Sequence, residues 1–76
     1  MYYIKQEKVE ELLDGRTISN LAKVLGISYR TLWGIFKKND KCKKVVAMAL
    51  INIKHGTLLN DSYMITQLNY YFKKGE

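Results

Sequence analysis

Cysteine, histidine and proline are almost or wholly missing from the 76 residues: there is one cysteine, Cys42, one histidine, His55, and no proline. A lone cysteine cannot close an intrachain disulfide, and one thiol with one imidazole falls short of the ligand set that structural zinc requires. The fold must rest on packing, and no metal or cofactor is expected. Long apolar runs are missing too. The longest, 45–51, is far below the roughly 20 residues needed to cross a bilayer, and no signal-peptide core stands near the N-terminus. A soluble, cytoplasmic protein is the expectation. At this length a chain buries only about 60% of its unfolded surface, which favours one small binding domain, 1–76, over an enzyme with a deep cleft. Repeats, linkers and low-complexity tracts are absent.

Acidic residues are scarce in one region. The chain carries 13 Lys and Arg against 7 Asp and Glu, a net charge of +6. Residues 1–15 are net −2, 55–76 are balanced, and 16–54 hold nine cations against Asp40 alone, net +8. A basic excess concentrated inside a folded domain is the footprint of a polyanion binder, set against the plainer reading of a solvated, solubilising face.

Apolar periodicity divides the chain into five amphipathic segments. The first, over 3–14, places Val9, Leu12 and Leu13 on one stripe. A second helix runs to about Leu25 behind Thr17 or Ser19 as N-cap, and Gly26 supplies the left-handed turn after it. Ser28 caps a third helix over about 29–38, with Leu32, Ile35 and Phe36 on the apolar side. Asn39 or Asp40 is placed to cap a fourth through about Lys54, so apolar from 45 to 51 that it reads as the most buried element. The last, over about 61–73, has cap candidates at 60–62; its Tyr, Ile and Thr content also suits an extended start.

From 18 to 37 the sequence reads ISNLAKVLGISYRTLWGIFK. Ala22 is small enough for two helices to cross, Gly26 makes the turn, and Leu21, Leu25, Ile27, Leu32 and Ile35 fill the space beneath. These 20 residues resemble the helix-turn-helix of the phage repressor and Cro family, the xenobiotic-response-element (XRE) type. The resemblance implies an all-α, lambda repressor-like bundle of about five helices. It also implies a sequence-specific, double-stranded DNA-binding transcriptional regulator whose third helix enters the major groove.

On a wheel of about 100° per residue the third helix turns Leu32, Ile35, Phe36 and Tyr29 inward, and an arc centred on Arg30, Gly34 and Lys37 outward. The resemblance assigns Ser28, Tyr29, Arg30, Trp33, Gly34 and Lys37 to base edges. Arg30 is the first choice, because its planar fork matches guanine O6 and N7. Lys38, Lys41, Lys43 and Lys44 then lie beside the duplex backbone, as do Arg16, Thr17, Ser19, Asn20 and Lys23 at the start and on the surface of the second helix. Small regulators of this type bind pseudo-palindromic operators as homodimers, and Tyr63 and Tyr70 within 61–74 are the dimer-contact candidates.

Trp33 and Gly34 depart from the family pattern, which sets hydrogen-bonding side chains at those positions. Trp33 suits a contact with thymine methyls or sugars, a fold back onto Phe36 and Tyr29, or a protein contact. Gly34 suits either close approach of a ligand or simple tolerance. The alternative function is therefore a phage or mobile-element protein whose helix-turn-helix binds a protein or ribonucleoprotein, as an anti-repressor or anti-CRISPR-type inhibitor does. Catalysis is not expected, since no motif ties Cys42 to His55 and a carboxylate. Cys42 is read as a helix-start cysteine of no special role, the lesser reading being a thiol made reactive by its lysine neighbours. His55 before Gly56 reads as a helix C-terminal cation.

Overall fold

Three side-chain caps set the helix starts in the computed structural model, which describes residues 1–75. Thr17 Oγ1 accepts from the Asn20 N–H at 3.0 Å, Ser28 Oγ from Thr31 N–H at 3.1 Å, and Asn60 Oδ1 from Tyr63 N–H at 2.9 Å. Each satisfies one of the donors that a helix start leaves without an intrahelical partner. The resulting α-helices are α1 (Val9–Leu13), α2 (Ile18–Leu25), α3 (Tyr29–Lys37), α4 (Lys44–His55) and α5 (Asp61–Tyr71). The protein is a small all-α bundle of five helices with one two-stranded sheet, and it has no helix long and apolar enough to cross a membrane among the described residues.

The first expected helix is largely replaced. Tyr2–Ile4 form strand β1, Gln6–Lys8 a single 3-10 turn, and only Val9–Leu13 are α-helical. Strand β2 (Phe72–Lys74) takes the end of the expected last helix and pairs antiparallel with β1, Ile4 opposite Phe72 and Tyr2 opposite Lys74. Aromatic and β-branched residues fit a pleated surface, and Ile4 and Phe72 both point into the core. Tyr2 packs edge-on against Phe72, with ring centroids 6.4 Å apart.

The other edge of β1 is used as well. Tyr2 N–H donates to Cys42 O, and Cys42 N–H donates to Tyr2 O, both at 2.8 Å. That bridge holds the chain extended ahead of α4, so neither Asn39 nor Asp40 caps it. The helix begins after Lys43 with no side-chain cap, while Asn39 turns the chain at φ +57°.

One apolar cluster joins every helix to β1 and β2. Leu21 and Ala22 of α2 meet Leu32, Ile35 and Phe36 of α3 there, together with Ala47, Leu50 and Ile51 of α4 and Met64, Leu68 and Tyr71 of α5. Helix α4 is amphipathic and not buried throughout: Ala47, Leu50 and Ile51 are at most 1% exposed, whereas Val45 is 67% exposed. No side-chain nitrogen or oxygen is buried without a partner among the described residues, in keeping with a core of apolar packing alone. Leu50→Ala should therefore lower unfolding free energy by about 2–5 kcal/mol, while Val45→Ala should stay within about 0.5 kcal/mol, both read from urea midpoints.

Candidate nucleic-acid interface

The site begins with the turn between α2 and α3. Gly26 takes φ +73° and its N–H donates to Ala22 O at 2.9 Å, closing α2 and letting the chain double back. Ile27 N–H also donates to Ala22 O, at 3.1 Å. Ala22 is 4% exposed at the crossing, and Leu32 of α3 is fully buried. The hairpin is thus locked from beneath, and the outward side of α3 is fixed relative to α2.

That outward side carries Ser28, Tyr29, Arg30, Trp33 and Lys37, all exposed. Tyr29 was expected on the inward arc as well as at the interface; at 53% exposure it belongs to the interface side. It lies at the first turn of α3, ahead of the residues that pack on α2. Ser28 is partly committed, since its hydroxyl caps Thr31 N–H and donates to Thr31 Oγ1 at 2.8 Å. Trp33 is 38% exposed and forms no aromatic ring pair with Phe36 or Tyr29 among the described residues. It forms part of the wall of an open groove of about 720 Å³, which Tyr29, Arg30, Gly34, Lys38, Asp40 and Lys41 also line.

Gly34 is the clear correction. The wheel puts it at the centre of the exposed arc, yet it is buried, because the Asp40 side chain lies over it. A Cβ at position 34 would collide with Asp40 Oδ2. Both Lys38 N–H, at 3.0 Å, and Asp40 N–H, at 3.1 Å, donate to Gly34 O, so the chain after α3 folds back across the helix. Asp40, considered from the sequence only as a helix cap, also lines this groove. The available signal was its standing as the single acid among the nine cations of 16–54.

Three cations, Arg30, Lys38 and Lys41, line this groove. Lys37, Lys38, Lys41, Lys43 and Lys44 are all exposed, and no ion pair occupies them or Arg30 among the described residues. Lys23 is exposed on α2, and Ser19 and Asn20 are exposed at its start. Thr17 already satisfies Asn20 N–H, so the donors left for an anion there are those of Ile18 and Ser19. Arg16 is half-buried, with Nη1 3.6 Å from Asp14 Oδ2, and is the least available of the expected phosphate contacts.

The tyrosines at 63 and 70 have intrachain neighbours. Tyr63 tilts against His55, whose Nε2 lies 2.9 Å from Gln67 Oε1, and both tyrosines keep over two-fifths of their surface exposed. Tyr70 OH donates to Glu11 Oε1 at 3.1 Å under the Lys8 ammonium, 3.9 Å from the ring centroid. Tyr71 OH donates to the second oxygen of Glu11 at 3.1 Å; burial first, then that hydrogen bond, push its phenol up.

Cys42 is not at a helix start and is not an activated thiol. It is 4% exposed within the bridge to Tyr2, and burial pushes it from 9.0 up to about 11, outweighing the lowering by the chain's amino terminus. A raised value leaves the neutral thiol favoured in the folded state. Its contribution to stability is complete below pH 9.0 and is lost as pH rises toward about 11. The native protein should thus resist thiol reagents at pH 8 and react only on unfolding, and Cys42→Ala should lessen the fall in denaturation midpoint between those two values. No protein-family model matches the chain, and comparison with curated proteins and with solved structures finds no match.

Proposed function

We propose that this chain is a sequence-specific, double-stranded DNA-binding transcriptional regulator of the Cro or repressor type, which inserts α3 into the major groove. The observation that carries this reading is the α2–turn–α3 hairpin, with Arg30 in no ion pair among the described residues on the outward side of α3 and exposed lysines on the segment that follows. A helix so placed presents its first turns to base edges, while cations on either side meet the phosphates and fix its register.

The division of labour follows from side-chain geometry. Arg30 offers a bidentate fork for guanine, a contact contributing about 1–3 kcal/mol of discrimination. Trp33 and Tyr29 supply apolar surface for thymine methyls or sugars. Lys38, Lys41, Lys43 and Lys44 hold phosphates, with the Ile18 and Ser19 amides helped by the positive end of α2. Four to six neutralised phosphates give a slope of log K against log salt of about −4 to −5. The resemblance extends to a twofold dimer reading half-sites about 34–36 Å apart, with Tyr63 and Tyr70 as its contact candidates.

A second reading keeps the fold and replaces DNA by a protein or ribonucleoprotein partner. It is favoured by the exposed pair Tyr29 and Trp33 beside a groove of about 720 Å³, since aromatic side chains are enriched where interfaces concentrate their energy. The two readings separate in one titration of the purified protein against duplex DNA from its own upstream region and against scrambled duplex, at two salt concentrations. A regulator prefers its site by about 10³ or more; a protein-binding module shows only weak, salt-sensitive association with both. Within the first reading, Arg30→Ala should relax base preference. Lys43→Ala should weaken all sequences alike and lower the salt slope by about one. Equal effects of the two substitutions on specific and random DNA would overturn this assignment of roles.

A further inference from the structure

The outward arc of α3 lacks a side chain at one position, 34, and the gap is filled by another residue. Asp40 reaches back across the helix, and its carboxylate takes the space that a residue-34 Cβ would enter. Its backbone is pinned there by the Asp40 N–H to Gly34 O bond of 3.1 Å, two residues from the bridge between Cys42 and Tyr2. Asp40 is an exposed residue, and its carboxylate has no ion pair or side-chain hydrogen bond among the described residues, although lysines precede and follow it at 37, 38 and 41. It lines the same groove as Arg30.

We propose that Asp40 is a base-reading residue: its carboxylate, set over Gly34, accepts from the exocyclic amino group of a cytosine in the major groove, beside a guanine read by Arg30. This rests on the regulator reading above.

An ionised carboxylate can only accept hydrogen bonds. In the major groove cytosine presents its N4 amino donor alone, adenine couples its donor to the N7 acceptor, and guanine and thymine present acceptors. Phosphates repel the same group, so a carboxylate on a basic face weakens binding to every duplex and recovers the loss only where an amino group meets it. That is selectivity built on an unfavourable contact with the wrong sequence. Residues 30 and 34 are one helical turn apart, with Cβ positions about 5–6 Å from each other, against a rise of about 3.4 Å per base pair. The cytosine contacted by Asp40 therefore lies one or two base pairs from the guanine contacted by Arg30. Gly34 is required because any side chain there would displace the carboxylate.

Selection of duplexes from a random-sequence library, run with the full chain, tests this in the unaltered protein, Asp40→Asn, Asp40→Ala and Gly34→Ala. The unaltered protein should enrich a guanine with a cytosine one or two base pairs away. Asparagine pairs bidentately with adenine, so Asp40→Asn should switch that cytosine to adenine, by about tenfold or more in relative affinity. Asp40→Ala and Gly34→Ala should lose preference at that position while retaining it for the guanine. Position 40 is exposed, and an alanine at 34 has only the flexible end of Asp40 to move aside, so cooperative melting should persist in all three. A selective protein whose preferences survive Asp40→Asn unchanged overturns the assignment of Asp40 alone. No enriched sequence for the unaltered protein overturns that assignment together with the regulator reading.

Discussion

Strand β1 is the constraint on which the rest of the arrangement depends, because its two edges are used by two distant parts of the chain. One edge pairs with β2, joining the N-terminal segment to the end of α5; the other bridges Tyr2 to Cys42. Each backbone hydrogen bond contributes only about 0.5–1.5 kcal/mol net, yet together they fix the path of the 38–43 segment. The bridge at Cys42 acts on that stretch together with the Asp40 N–H to Gly34 O bond, the Gln6 side chain donating to Asn39 Oδ1, and burial of Cys42 in the core. With them, Asp40 is returned to the face of α3 and the following lysines stay on the outer surface.

The core beneath carries the complementary task. Ala22 and Gly26 bring α2 and α3 together, and the buried Leu32, Ile35 and Phe36 leave α3 one outward orientation. Rigid placement of this kind lets a short helix present side chains without ordering them at the moment of binding. The paired use of Glu11 by Tyr70 and Tyr71 ties α5 to α1.

Much of the helical plan was legible because it rests on local physics. Thr17, Ser28 and Asn60 cap as short polar side chains at helix starts do, and the 3.6-residue stripes of α2, α3 and α5 face the core. The candidate interface was legible only in part. Arg30, Trp33, Lys37 and the lysines to Lys44 are exposed as a helix wheel and charge counting imply. Gly34 and Asp40 were misjudged, since a wheel treats each helix alone and contains no information about a later loop folding over it.

By itself, the sequence determined the Ser28 cap, the choice of caps near 17–19 and 60–62, the glycine turn at 26, most of the apolar stripes and the basic excess of 16–54, all of them local features of the chain. Only the tertiary structure decided that 2–4 would be a strand, that Cys42 would be a buried bridge residue, and that Asp40 would take the space over Gly34. The physical reason is shared by all three. Strand pairing and loop packing obtain their partners from far along the chain, Tyr2 from Lys74 and from Cys42, and no local propensity specifies which distant backbone edge will be available.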